Sequence, residues 1–398
     1  LSGFLSTPPL RGSPEPSLLL LVFSVAIGSL ATHVFVAGMP LAATEFGVSD
    51  ATMQLSITLS LLGAGIADLT SGPLSDRHGR RPVMIFGGTL FVLASLAAML
   101  APSALLLIAM RLFQALGASS SRVAARAATR DNVPADRVAR RFALVTMAQS
   151  LMPIAAPAIG GVFAAWFGWR AIFVFCCVFG IVLLAVVAAA MPESNRNKST
   201  APGFGPMLAS MGVLLRSRSY VGYAVGGSLG NGAFFCLTAV MPFVLTNRLG
   251  QDPDRVGGIF LVFTLGVFVG MSAAGWLVRR FPLRPIVNFA NLLSMASAVG
   301  LLGVLLVGPV TVISLVIPMV LYAVGCGIIL PTAMAGALAG HPERAGAAAG
   351  LFGFLLQMCG VVATVLAGLF ADQAVAAAMI LIGASVAAQA VLPMAGRD

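Results

Sequence analysis

Twelve stretches of this chain run for 20 residues or more with few charges: 18–38, 52–75, 82–101, 103–128, 139–165, 171–191, 220–246, 256–278, 284–307, 310–339, 345–369 and 373–394. About 20 apolar residues in a helix cross a hydrocarbon core roughly 30 Å thick. Inside lipid the backbone must satisfy its own N–H and C=O groups, so runs of this length fold as helices. The chain therefore reads as an all-α membrane protein with twelve transmembrane helices. Only 9% of the 398 residues are charged, against about 25% in soluble chains, so no water-facing surface can be assembled from them. The first run has too little positive charge before it, and too long an apolar body, for a cleaved signal peptide. Position 1 is Leu rather than Met, which leaves the natural start open.

The net charge of +10 comes from 23 basic residues, 22 of them Arg, set in short clusters between the apolar runs. A basic balance can point to nucleic acid, but this clustering is that of loops retained on the cytoplasmic side of a membrane. With both termini placed inside, 17 basic residues fall on the cytoplasmic side and three (Arg170, Arg248, Arg255) outside. The remaining three, Arg111, Arg122 and Arg126, lie within the fourth run. The expected location is a bacterial-type inner (plasma) membrane, with the lipid bilayer as partner and no nucleic acid. Cys176, Cys177, Cys236, Cys326 and Cys359 all sit in apolar runs and read as small core hydrophobes. No metal cluster, nucleophile–base pair or Walker-type phosphate loop is present in the sequence. The chain is not expected to be an enzyme or to hold a cofactor, which leaves an ion gradient as its energy source.

The sequence is duplicated. "GPLSDRHGRRPVM" (72–84) and "GWLVRRFPLRPIV" (275–287) match at five of thirteen positions under a shift of 203, and both join the second and third runs of their half. Duplicated six-helix halves with a binding site between them are a transporter architecture. The expected organisation is a cytoplasmic N-terminal segment (1–17), a six-helix bundle (18–191), a Pro/Gly/Ser-rich cytoplasmic linker (192–219), a second bundle (220–394) and a short cytoplasmic end (395–398). A short amphipathic helix is expected at 206–215.

"GPLSDRHGRRP" (72–82) concentrates charge, glycine and proline in a tight turn. Gly72 is expected to let helix backbones approach, Gly79 to take a positive φ, and Pro82 to sit in the first turn of the next helix. Arg77, Arg80 and Arg81 hold the loop inside, with Asp76 as a partner. The pattern G-x-x-x-D-R-x-G-R-R resembles the signature loop of the major facilitator superfamily. "RLFQALGAS" (111–119) resembles the helix-four motif of its proton-coupled members. "PIAAPAIGG" (153–161) is similar to the helix-five motif of drug:proton antiporters, with Ala156 where Gly is usual. "MPFVL" (241–245) and "HPERAGAAAGLFGFLLQ" (341–357) extend the resemblance to the bicyclomycin/chloramphenicol-resistance type of exporter.

That resemblance implies two pseudo-symmetric six-helix bundles, the major facilitator fold, exchanging protons for small drug-like molecules. It implies a latch role for the Asp76 loop, proton coupling at Arg111, and an antiporter-shaping role for the helix-five motif. Read from the residues alone, Pro153 and Pro157 bend their helix, and Gly160 and Gly161 offer a flat packing face.

Charges within the membrane are costly and are paired or face a cavity. Asp68 is the one acid well inside a run. It lies about 12 Å deeper than Asp76, and Arg122 about 12 Å deeper than Arg130, at 1.5 Å per residue. The two therefore reach one level, and either form an ion pair or face water separately. Both depart from the family pattern, as does His33, where an acid is usual. Either Asp68 or His33 is expected to carry the exchanged proton, with Asp68 preferred because burial raises a carboxylate's pKa. The second half has no acid, base or imidazole deep in a run. Asn231, Phe234, Phe235, Tyr322 and Gln357 offer a neutral wall suited to uncharged ligands. The function expected is proton-coupled efflux of such compounds by a monomer. The alternatives are export of a sugar, amino acid or siderophore, and a membrane sensor or scaffold that moves nothing.

Overall fold

The computed structural model describes residues 15–131, 133, 135–195 and 205–395. Among them are no strands, and twelve helices are long and apolar enough to cross a membrane. These are α1 (Leu18–Phe46), α2 (Asp50–His78), α3 (Arg80–Met99), α4 (Ala104–Ala128), α5 (Arg140–Phe167) and α6 (Arg170–Ala190) in the first half. The second half holds α7 (Arg218–Arg248), α8 (Pro253–Leu277), α9 (Leu283–Val307), α10 (Val312–Ala339), α11 (Pro342–Gly368) and α12 (Gln373–Met394). A further helix, Gly205–Arg216, precedes α7. The terminal segments 1–14 and 396–398, and linker residues 196–204, lie outside the described residues.

Polarity runs opposite to that of a soluble protein. Leu105 and Val307 are 78% and 90% exposed, while Ser24, Gln54, Ser60, Gln114 and Thr332 are buried. Lipid solvates the apolar rim, so polar side chains gather where other protein groups can satisfy them. Many hydroxyls do this locally: Ser60 donates to the Ser56 carbonyl at 2.7 Å and Thr332 to that of Ile328 at 2.6 Å. Short connections are closed by caps. Ser49 accepts from the Thr52 N–H, Ser103 from that of Leu106, and Thr311 with Ser314 forms a full capping box.

The duplication is visible in the packing. Gly63 lies against the Leu112 carbonyl of α4, and Gly266, 203 residues on, against the Val320 carbonyl of α10. The first helix of each half is also interrupted. In α1 the helix stops at His33, passes through a tight turn at Val36–Gly38 and restarts at Met39. In α7 it stops at Gly232, restarts at Phe234 and ends in a wide turn, Val244–Arg248. Met39-Pro40 and Met241-Pro242 mark the two restarted segments, and a proline has no N–H to continue the ladder. The halves meet where α2 packs on α11 and α5 on α8.

Candidate functional site

The interruption of α1 explains the most deeply buried charge. Once the helix stops at His33, the carbonyls of Ala31 and Thr32 lose the N–H partners that a continuing helix would supply. The Arg111 guanidinium of α4 occupies that position, donating to Ala31 O at 2.5 Å and Thr32 O at 3.3 Å. It also bonds Gln114 Oε1, whose amide donates to Ser95 Oγ at 2.7 Å, and it lies 5.6 Å from the Phe35 ring centroid. Arg111 is fully buried, and no carboxylate pairs with it among the described residues. A cation at the carbonyl end of a helix is stabilised by the helix dipole. Arg111 is thus held by peptide oxygens.

Asp68 and Arg122 are an ion pair, 2.7 Å from Oδ1 to the guanidinium, with side chains 15% and 13% exposed. The level inferred from helical rise brings them together. The pair also sits on the seam between halves. The Asp68 carbonyl and carboxylate lie against Gly350 and Gly353 of α11, where a Cβ at Gly353 would come within 3.0 Å of Oδ2. Further along the seam Thr58 bonds Thr364 at 2.8 Å and Gln54 bonds Gln373 at 2.6 Å. Arg126, one turn beyond Arg122, is within charge range of Asp68, Arg122 and Arg130.

His33 closes the first segment of α1. Its Nδ1 is 2.9 Å from the Ser29 carbonyl. A carbonyl can only accept, so Nδ1 carries the hydrogen and the neutral ring keeps its lone pair on Nε2. Across the seam the ring faces Phe235 of α7, 6.3 Å between centroids. Phe235 and Gln357 lie on this seam, beside Leu61 and Gly65 respectively, and Gln357 Oε1 is buried without a partner among the described residues. Asn231, Tyr322 and Phe234 are instead engaged within the second half. Asn231 donates to Cys326 O at 2.8 Å, Tyr322 to Gly230 O at 3.1 Å, and Phe234 stacks on Phe263.

The turn between α2 and α3 is a single residue, Gly79, with φ +109°. Arg80 pairs with Asp76 at 2.5 Å and with Asp131 at 3.1 Å. Arg81 donates to Ala188 O at 2.7 Å, while Arg77 is exposed in the last turn of α2. The close helix approach expected at Gly72 is not found. A Cβ there would meet nothing within 4 Å, because the position faces away from the neighbouring helices. Sequence reasoning missed what secures this turn. Glu193, just past α6, accepts from the Arg80 N–H at 2.9 Å and the Arg81 N–H at 3.2 Å. Asn195 donates to the Asp76 carbonyl at 2.8 Å, and Ser194 to Asp131 at 2.9 Å. The signal was an acid directly after an apolar run in a chain with only 13 acidic residues.

The Glu193 carboxylate thus caps a helix whose own Ncap is glycine. Glu193→Ala should cost about 0.5–2 kcal/mol, the worth of a helix cap, and expose the turn to trypsin at Arg77 and Arg80. An unchanged unfolding midpoint and cleavage rate would show that the cap does not hold the turn.

In α5, Pro153 and Pro157 lie inside the helix. A Cβ at Gly160 would overlap the Val34 carbonyl oxygen, at the interruption of α1. Gly161 turns instead to the other half. A Cβ there would lie 2.5 Å from Pro253 O and 3.0 Å from the Gly257 Cα of α8.

Residues 20–364 match the family model described as Major Facilitator Superfamily. The chain belongs to the major facilitator superfamily. Within that superfamily it is 30% identical over 350 residues to "Multidrug resistance protein D" of Escherichia coli (strain K12), covering 85% of this chain and 84% of that protein. It is 29% identical to "Uncharacterized MFS-type transporter YdgK" of Bacillus subtilis (strain 168), covering 92% and 91%. It is 27% identical to "Chloramphenicol resistance protein" of Pseudomonas aeruginosa, covering 84% and 80%. The fold is that of a solved D-xylose-proton symporter, with TM-score 0.73 at 14% identity over 95% of this chain and 98% of that one. As a major facilitator protein the chain is a multi-pass membrane transporter and not an enzyme.

Proposed function

We propose that the chain exports small, neutral or weakly polar drug-like molecules across the inner membrane in exchange for protons, as a monomer, by alternating access between its halves. The observation that carries this reading is the Asp68–Arg122 pair, a carboxylate deep in the first half set against α11 of the second. The relatives named for multidrug and chloramphenicol resistance support the substrate class. Protonation of Asp68 removes the counter-charge of Arg122. An unpaired cation shielded from water is costly, so the balance moves toward the arrangement in which water reaches Arg122. Loss of the proton restores the pair and the contact with Gly353. His33 Nε2, with its lone pair free, is the second candidate carrier. Arg111, fixed by carbonyls, is a positioning residue.

Charge also counts against cationic cargo. Arg111, Arg122 and Arg126 outnumber Asp68 within the first half, and a site of net positive charge disfavours cations. Termini on the cytoplasmic side follow from the 17-to-3 distribution of basic residues.

Inside-out vesicles carrying the chain, acidified in the lumen, should accumulate a neutral amphenicol-like compound and lose it on addition of an uncoupler. Asp68→Asn should abolish this accumulation while His33→Ala retains it; the reverse pattern would assign the proton to His33. Absence of pH-driven flux for amphenicol-like, bicyclic and cationic dye compounds alike would remove the reading.

A further inference from the structure

The halves are also tied together at the end of α2 farthest from the Gly79 turn, on the outer face of the membrane. Asp50, the first residue of α2, accepts a hydrogen bond at 2.9 Å from the Asn247 amide, in the wide turn that ends α7. One turn deeper, Gln54 donates to Gln373 at the start of α12, at 2.6 Å. The two second-half segments are themselves joined. Arg248 donates to Asp372 at 2.8 Å, and Asp372 accepts from the N–H groups of Ala374 and Val375. Asp50, Asn247, Arg248, Asp372, Gln373 and Gln54 therefore close a ring, whose two crossings between the halves are the bonds of Asp50 and of Gln54.

Charge is uneven around this ring. Arg248 answers Asp372, whereas the half-buried Asp50 has no cation as partner among the described residues. The other charges on the elements around it are engaged elsewhere. Glu45 of α1 accepts from Trp169 at 2.6 Å and pairs with Arg170, and Arg111 of α4 is bound to the carbonyls of α1. The end of α11 meets Ala51 at Gly368, and that helix carries no Asp, Glu, Arg, Lys or His from Ala345 to Gly368. A hydrogen bond onto a carboxylate is roughly twice as strong as one onto a neutral acceptor, and a negative charge in the first turn favours the helix dipole. A proton on Asp50 therefore weakens one crossing and leaves the uncharged Gln54–Gln373 crossing as it was.

We propose that Asp50 is a second proton site, on the outer face, and that its protonation from outside loosens the ring so that the halves part there. Asp68 lies about 27 Å further along α2 at 1.5 Å per residue, so the two carboxylates titrate as separate groups. Acid outside opens the path by which a proton reaches the inner one. The inference rests on alternating access between the halves, and not on the cargo or on Asp68 as the carrier.

The test is hydrogen–deuterium exchange of the purified full chain in lipid nanodiscs, without cargo, in mildly alkaline and mildly acid buffer, corrected for the intrinsic effect of pH on exchange. The Asp68→Asn, Arg122→Met double variant is the background, so that the inner carboxylate cannot answer. Acid should raise exchange at the outer ends of α2 and α7 about fivefold, the difference between a hydrogen bond to a charged group and one to a neutral group. Adding Asp50→Asn should give the raised exchange in both buffers, and adding Asn247→Leu should do the same by removing the donor. Adding Gln54→Leu should raise exchange in both buffers yet keep the response to acid. No response in the background, an undiminished one after Asp50→Asn, or its loss with Glu45→Gln would each overturn the proposal. A chain that shows the response but no pH-driven flux would keep the outer site and remove the export reading instead.

Discussion

Asp68→Asn should lower folding stability by about 3 kcal/mol, the low end for removing one partner of a buried ion pair, and end pH-driven flux. The reason is Arg122, which keeps its charge 2.7 Å from where the carboxylate was. Replacing Arg122 by Met in the same chain removes the stranded charge, so the double variant should recover most of the stability. It should not recover coupling, because the proposed proton carrier is still absent. Unfolding midpoints of the four chains in detergent give the cycle directly. Equal losses from Asp68→Asn with and without Arg122 would dissolve the pair as an energetic unit. The surroundings sharpen the expectation: α11 sets Gly350 and Gly353 against Asp68, and Arg126 is a further charge nearby.

Gly160→Ala and Gly161→Ala should fail in different ways although they are neighbours. The first places a methyl group on the Val34 carbonyl oxygen, within one half. Backbone cannot swing aside as a side chain can, and overpacking of this kind costs about 1–3 kcal/mol, occasionally more. Lower folded yield and a lower unfolding midpoint should follow. The second places its methyl group against Pro253 O and Gly257 of the opposite half. Each half can still fold, so stability should be nearly kept while flux falls at least tenfold, because closure on this face is obstructed. Measuring midpoint and flux for both variants separates them. A similar loss of stability from the two would mean that the α5–α8 contact belongs to the folded core rather than to the moving seam.

Much of this was legible in the chain. Apolar runs must become helices in lipid, and their lengths place both ends, so twelve spans follow from residues alone. The shared level of Asp68 and Arg122 follows from a constant rise per residue, which needs no tertiary knowledge. Arg111 was legible as a buried charge but its partners were not. Its acceptors are peptide oxygens freed by a stop at His33, and "ATHVFVAGMP" marks that stop only through Pro40. Glu193 was hidden for a related reason: a cap supplied from 112 residues away is a long-range contact, and local pattern does not carry it. Gly72 misled because a glycine can be small for a neighbour or for a turn, and only packing tells which.

The guanidinium of Arg111, fixed to the peptide oxygens of α1, has an electrical consequence. No carboxylate shares its site among the described residues, and peptide oxygens that only accept hydrogen bonds hold the guanidinium in place. Under the proposed alternating access it moves with the first half in the transmembrane field, where a full crossing by one charge is worth about 2.3 kcal/mol per 100 mV. The step that moves it one way through the field therefore gains or spends electrical work, and the return step cancels it, so the voltage biases the two arrangements without entering the net work of the cycle.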